Sequence, residues 1–101
     1  MPVEAASLRF AADIAHAVSN RHVSAQAVVE HALARIAELE PRIRAWVTLD
    51  AQQALAAARR IDLGTPAGLL AGVPVAVKDI FDCAGLPTAY GSPIYRDAAP
   101  A

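Results

Sequence analysis

The sequence predicts an α/β fold of which this chain holds only part, a helical layer followed by one central strand. Three observations support this prediction. Apolar residues recur at helical spacing through residues 1–62, a nearly continuous β-branched and apolar run fills 72–82, and no comparable second run follows. A buried strand needs neighbours for its backbone hydrogen bonds, so the single run predicts either a larger domain or a partner chain.

The first helix is predicted in "SLRFAADIAHAVSN", with Ser7 as its N-cap. Asn20 is expected to end it, because asparagine tolerates the left-handed backbone that often terminates a helix. The residues predicted to form its apolar face are Leu8, Ala11, Ala12, Ala15 and Val18.

A second helix is predicted from the N-cap Ser24 to Glu40, where Pro41 should end it because the residue before a proline disfavours helical backbone. Its predicted apolar stripe consists of Val28, Val29, Ala32, Leu33, Ile36 and Leu39.

The segment "IRAWVTLD" alternates like a short strand or an extended connector. Asp50 and Gln53 form a capping box for a third helix, "AQQALAAARRI".

The rest of the chain divides into a turn-rich linker over 63–71, the lysine-bearing strand over 72–82 and a loop rich in glycine and proline over 83–101.

Composition excludes several functional classes. The chain is 55% hydrophobic and 19% charged with a net charge of −1, which predicts a packed domain without a nucleic-acid surface. Charges interrupt every apolar stretch, so no membrane span is expected, and the N-terminus lacks the pattern of a secretory signal. One cysteine, Cys83, fits a reducing compartment, and we expect a cytoplasmic protein.

Lys78 is the candidate catalytic residue. Eight of the nine basic residues are arginine, and the one lysine directly follows "VPVAV". Lysine, unlike arginine, can serve as a general base when a dry pocket favours its neutral amine. A lysine whose stem lies on apolar surface while its ammonium reaches water is the alternative, and the position alone leaves both open.

Other candidates are weaker. Asp79 should point away from Lys78 and hold the loop by accepting hydrogen bonds from backbone N–H groups. Asp79 and Asp82 could form an acid–base carboxylate pair, but nothing in the sequence positions a second group opposite them. A nucleophilic Cys83 would need a histidine base, so a structural cysteine is favoured. His16, His22 and His31 lie in or between the first two helices with no zinc-site spacing, and the glycines form no phosphate-binding loop, so we expect no metal and no cofactor.

The segment "LLAGVPVAVKDIFDCAGLPTAYGSPIY" resembles the amidase signature family. That family carries G-V-P-[IV]-x-[IV]-K-D followed by G-x-x-T-x-x-G-S. The matching residues are Gly72, Val73, Pro74, Val75, Val77, Lys78, Asp79, Gly85, Thr88, Gly91 and Ser92. The upstream helices are also similar in order and spacing, with Glu40-Pro41 where the family has an asparagine-proline turn. The resemblance covers nearly the whole chain from about Ser7.

The resemblance implies the first central strand of a mixed-sheet fold and a Ser–cis-Ser–Lys amide hydrolase that acts on a small-molecule amide. Lys78 would be the base, and substrate-binding residues are not assigned. Both serines lie in a Gly/Ser-rich segment that this chain does not contain, since Ser7, Ser19, Ser24 and Ser92 have other contexts. We therefore expect an N-terminal fragment that is inactive alone, completed by a missing C-terminal portion or paired as a homodimer.

Two further interpretations stay open. The fragment could derive from a free-standing amidase or from the A subunit of a tRNA-dependent amidotransferase. A stand-alone helical interaction module, which binds a partner through the Val28–Leu39 stripe, is the alternative from another class.

Overall fold

A computed structural model describes residues 9–64, 68–81 and 83–86 of the chain. Its helices are α1 (Ala11–Ser19), α2 (Ala25–Ile43) and α3 (Ala51–Leu63). The described residues contain no strand, so the predicted α/β class is confirmed only for its helical part. None of the helices in this part of the chain is long and apolar enough to span a bilayer.

The chain forms two compact units. The first, the helical unit, comprises Met1–Ile43 and Asp50–Pro74. The second, the lysine unit, comprises Arg44–Leu49 and Val75–Ala101.

Small and β-branched side chains build the core of the helical unit. Its buried cluster consists of Ile14, Val18, Ala25, Val28, Val29 and Ala58. Alanines at these positions let the helices approach closely, in keeping with the small number of aromatic residues. Val28 is 2% and Val29 9% exposed. The beginning of the stripe that a stand-alone interaction module would present is therefore buried in the core of this chain.

α1 begins later than predicted, and it ends at its C-cap Asn20 as predicted. Ser7 lies outside the described residues, and the N-cap is Phe10, without a side-chain hydrogen bond. Because the helix starts at Ala11, its inward face carries Ile14, which the sequence prediction missed, whereas Ala11 and Ala12 are exposed.

The left-handed residue after α1 is Arg21, with φ of 56°, and not Asn20. Asn20 is the C-cap with φ of −87°. The N–H of His22 donates to Ala17 C=O at 2.8 Å and that of Arg21 to Val18 C=O at 3.1 Å. These paired bonds form a Schellman motif, which places the left-handed backbone one residue after the C-cap.

α2 starts as predicted, since Ser24 Oγ accepts the Ala27 N–H at 3.0 Å. The prediction that Pro41 ends it is wrong, because α2 continues through Pro41 to Ile43. A proline in the last turn removes one backbone donor, and only two helical residues follow it. The helix stops at Arg44, whose φ is 51°.

α3 is capped as predicted, with Asp50 Oδ1 accepting the Gln53 N–H at 2.9 Å. It extends two residues beyond the predicted Ile61, to Leu63. The extension matters because it includes Asp62, whose carboxylate reaches the start of α2.

Asp62 and Arg21 join the ends of different helices. The Asp62 carboxylate accepts the Ala25 N–H at 2.7 Å and the Gln26 N–H at 3.0 Å, which satisfies two of the free donors of α2. In the other direction, the Arg21 guanidinium donates to Asp62 C=O at 3.4 Å and to Gly64 C=O at 2.8 Å, at the carboxyl end of α3. The start of α2 is therefore tied to the end of α3 from both sides.

The segment that leads out of the helical unit is packed onto its core. Gly72 is buried with φ of 88°, and Val73 packs against the hydrophobic cluster. The Val73 N–H donates to Leu70 C=O at 3.0 Å, which closes a turn. The first residues of the "GVP" motif are therefore part of the helical core.

Candidate functional site

The lysine unit brings together the two segments that the sequence marked as strand candidates. An open groove of about 570 Å³ lies between residues 44–49 and the segment around Lys78. Its lining consists of Ala45, Trp46, Val47, Thr48, Ala76, Val77, Lys78, Asp79, Ile80, Phe81, Cys83 and Leu86. Among the described residues of that lining, Lys78 and Asp79 are the charged ones, so this part of the groove is an apolar surface with one cation and one anion at adjacent positions.

Lys78 lies at the point where the chain changes direction. The Phe81 N–H donates to Lys78 C=O at 3.0 Å, and this bond closes a turn directly after the lysine. Residues 73–78 precede that turn without helical or turn structure. The predicted strand over 72–82 continues past Lys78, whereas the chain turns at residues 79–81, and no ladder is formed among the described residues.

The expected burial of this segment on both faces is not found among the described residues. Val75 is 77% and Val77 50% exposed, and Lys78 is exposed as well. A strand is buried only when neighbouring strands and a covering layer are present, and the described residues supply neither. The dry pocket that would favour a neutral amine at Lys78 is therefore not formed by these residues.

The remaining candidates are distributed over the molecule. Asp79 is half-buried in the turn after Lys78, and Asp82 lies outside the described residues. Cys83 is a half-buried free thiol in a tight turn closed by the Leu86 N–H to Cys83 C=O bond of 3.0 Å, in which Gly85 takes φ of 82°. That positive φ explains the glycine of the second motif.

None of the three histidines lies in the lining of the groove around Cys83. Their positions are His16 in α1, His22 after it and His31 in α2, all in the helical unit. The described residues contain no group of three or more His, Cys, Asp or Glu side chains able to hold a metal ion.

Sequence reasoning missed the participation of Trp46 in the site. It placed Trp46 on a short strand or connector and assigned it no role, whereas the residue lines the same groove as Lys78. The alternation in "IRAWVTLD" was the signal that could have paired this segment with the lysine segment.

Comparison with known proteins decides the family. The family model described as Amidase matches residues 27–101, which include most of α2, all of α3 and the segment 72–82 that carries Lys78. The chain belongs to the amidase family.

Similar curated proteins support this assignment to the amidases. The glutamyl-tRNA(Gln) amidotransferase A subunit of Cyanothece is 46% identical over 76% of this chain, and that of Acidothermus cellulolyticus is 42% identical over 91%. The corresponding protein of Salinispora tropica is 43% identical over 89%. The chain spans only 17% of the Cyanothece protein and 19% of the other two. No solved structure matches the chain significantly.

Proposed function

We propose that this chain is the N-terminal, lysine-bearing part of an amidase-signature enzyme that cleaves the C–N bond of a carboxamide. The observation that carries the proposal is the position of Lys78. It is the only lysine of a chain in the amidase family, and it stands at the end of "GVPVAVK", immediately before a turn.

Lys78 would act as a base in a Ser–cis-Ser–Lys arrangement. Its neutral amine accepts a proton from a bridging serine, which in turn accepts the proton of the nucleophilic serine as that oxygen attacks the amide carbonyl. The proton then returns along the same path to the leaving amine, and water later releases the acyl group. Both serines and the donors for the oxyanion belong to the part of the enzyme that this chain does not contain.

The exposed state of Lys78 in this chain is consistent with such an arrangement. A general base near neutral pH needs an environment that disfavours its charged form, which burial provides. We infer that the missing part of the enzyme covers Lys78 and thereby completes the base as well as the nucleophile.

The names of the relatives favour one type of amidase. The Cyanothece, Acidothermus and Salinispora proteins are all A subunits of glutamyl-tRNA(Gln) amidotransferase. We propose that the complete enzyme is of this type and that it takes its amide from a small molecule in the cytoplasm. A free-standing amidase remains the alternative within the same family.

A chimera tests the proposal. This chain replaces the matching stretch of the Cyanothece A subunit, and release of ammonia from glutamine is measured with and without Lys78→Arg. The arginine keeps the positive charge and cannot give up its proton, so we expect a loss of about 10²–10⁴-fold in kcat. The matched control is Arg35→Lys, an equally conservative exchange on the exposed face of α2, which should leave the rate unchanged. Equal rates before and after the Lys78→Arg exchange would disprove the assigned role.

A further inference from the structure

The segment that carries Lys78 begins at a close contact with α1. Gly72 is buried, and a Cβ placed on it would lie 2.7 and 2.8 Å from the two γ-carbons of Val18 and 3.0 Å from the Val18 Cβ. Val18 is itself 2% exposed, so its side chain has no solvent-filled space into which it can withdraw. In a close-packed interior such a contact transmits a displacement instead of absorbing it. The position of Gly72 is therefore set by α1.

Two further restraints hold the residues that follow Gly72. The Val73 N–H donates to Leu70 C=O at 3.0 Å, and the Val73 side chain packs against the hydrophobic cluster of the helical unit. Pro74 comes next, and its ring fixes its φ. Backbone, packing and ring together therefore hold residues 72–74.

Lys78 follows these held residues after a short stretch of chain. Residues 73–78 contain neither a helix nor a turn, so no local fold between Gly72 and Lys78 takes up a displacement. Val75, Val77 and Lys78 are exposed. Among the described residues, packing therefore holds the segment at its start and not at Lys78.

We propose that Val18 is a positioning residue for Lys78 and that it acts through Gly72. This role rests on the proposed function, because it presupposes that Lys78 is the base. A catalytic group displaced by about 1 Å can lose about 10²-fold in rate, so a contact that fixes the start of its segment affects the reaction. α1 ends at Ser19, before residues 27–101 that the family model matches, so membership of the family does not by itself give Val18 a role.

An amide signal tests whether a change at the contact reaches Lys78. Lys78 is the only lysine of the chain, so labelling with nitrogen-15 lysine gives a single backbone amide signal in the proton–nitrogen spectrum. Gly72→Ala should shift this signal, although six positions separate the exchange from Lys78. Val18→Ile should shift it as well, because a methyl group added to either γ-carbon starts beside Gly72, which is itself unchanged in that variant.

Two controls separate the contact from backbone strain. Gly68→Ala places alanine at a φ of 89°, close to the 88° of Gly72, but no atom of the described residues lies within 4 Å of its Cβ position, so the Lys78 signal should stay in place. Adding Val18→Ala to Gly72→Ala should return the signal toward its original position, because the shorter side chain removes the collision. Circular dichroism establishes that each variant is folded, and if Gly72→Ala does not fold, Val18→Ile decides the test.

Kinetics of the chimera test whether the displacement matters for the reaction. In the Cyanothece A subunit that carries this chain, Gly72→Ala should lower kcat by about 10–10²-fold and change KM by less than about twofold. Adding Val18→Ala should recover most of this loss. A purely structural role predicts the opposite, because a second truncation in the core destabilises the enzyme further and lowers its folded fraction.

Several outcomes would overturn the positioning role. These are a Lys78 signal that stays in place in the folded Gly72→Ala or Val18→Ile variant, an equal shift in Gly68→Ala, an unchanged kcat, or a double variant slower than Gly72→Ala. The proposed function fails separately. If Lys78→Arg leaves the rate of the chimera unchanged, Lys78 is not the base, and the amide signal still decides whether Val18 sets the position of residue 78. If Lys78→Arg abolishes activity and Gly72→Ala does not lower kcat, the positioning role alone is refuted.

Discussion

Gly72 packs so closely against Val18 that a Cβ built on Gly72 would lie 2.7 Å from Val18 Cγ1. Val18 is 2% exposed and belongs to the core of the helical unit. Gly72 also has φ of 88°, a conformation that side-chain-bearing residues rarely adopt. The glycine of the "GVP" motif is therefore required both by backbone conformation and by the space left beside α1.

Gly72→Ala should destabilise the chain by about 2–5 kcal/mol. Left-handed backbone accounts for about 1–2 kcal/mol, and the forced displacement of Val18 adds roughly 1–3 kcal/mol. Urea unfolding followed by far-ultraviolet circular dichroism measures the change in the free energy of unfolding.

Gly68→Ala separates these two contributions. Gly68 has φ of 89°, and no atom of the described residues lies within 4 Å of the position that a Cβ would take, so alanine there should meet the backbone cost alone. The double variant Gly72→Ala with Val18→Ala should lose less than the sum of its single variants, because the smaller side chain removes the collision. Equal losses at Gly68 and Gly72 would contradict the steric argument.

Asp62→Ala should destabilise the chain by about 1–2 kcal/mol, in the range of a lost N-cap. The carboxylate accepts two N–H groups at the start of α2, and both lose their partner in the variant. Asp62→Asn retains one acceptor oxygen and should lose about half as much. Both values come from the same unfolding measurement.

The control for Asp62 is Glu38→Ala, which removes a carboxylate from the exposed Arg35–Glu38 pair, joined at 3.0 Å. Exposed pairs of this kind contribute about 0–1 kcal/mol. If the loss of unfolding free energy at Glu38 were as large as that at Asp62, the Asp62 carboxylate at the start of α2 would contribute no more than an exposed ion pair.

The exchange of Arg21 tests whether residue 21 is held in the left-handed conformation of the Schellman motif when its side-chain contacts are absent. Arg21→Ala keeps the unfavourable φ of 56° and loses the bonds to Asp62 C=O and Gly64 C=O. Arg21→Gly loses the same bonds but removes about 1 kcal/mol of backbone strain. The glycine variant should therefore be more stable than the alanine variant by about that amount, and the reverse order would refute the Schellman assignment.

The helices and their caps at Ser24 and Asp50 could be predicted from the sequence, because each depends on residues within a few positions. The turn after Lys78 was not predicted, since the apolar run was expected to continue as a strand to residue 82. The end of α2 could not be predicted either, since the local bias of Pro41 against helix did not prevent two further helical residues, Arg42 and Ile43. Arg21 was missed because its left-handed backbone accompanies contacts with α3 residues more than 40 positions away.

The burial of the segment around Lys78 on both faces was predicted from a pattern that depends on neighbouring strands and a covering layer. A continuous apolar run indicates a strand covered on both faces, and that inference assumes that the covering layers are present. The described residues do not supply them, so the burial expected from the apolar run is not found among these residues.

The chain alone should therefore have no amidase activity. A nucleophile, its base and the oxyanion donors act as a unit, and removal of the nucleophile together with the donors eliminates nearly all rate enhancement. Ammonia release from glutamine and from simple amides by the purified chain should equal the buffer blank. Activity that Lys78→Arg abolishes would contradict this prediction and would require a nucleophile within these 101 residues.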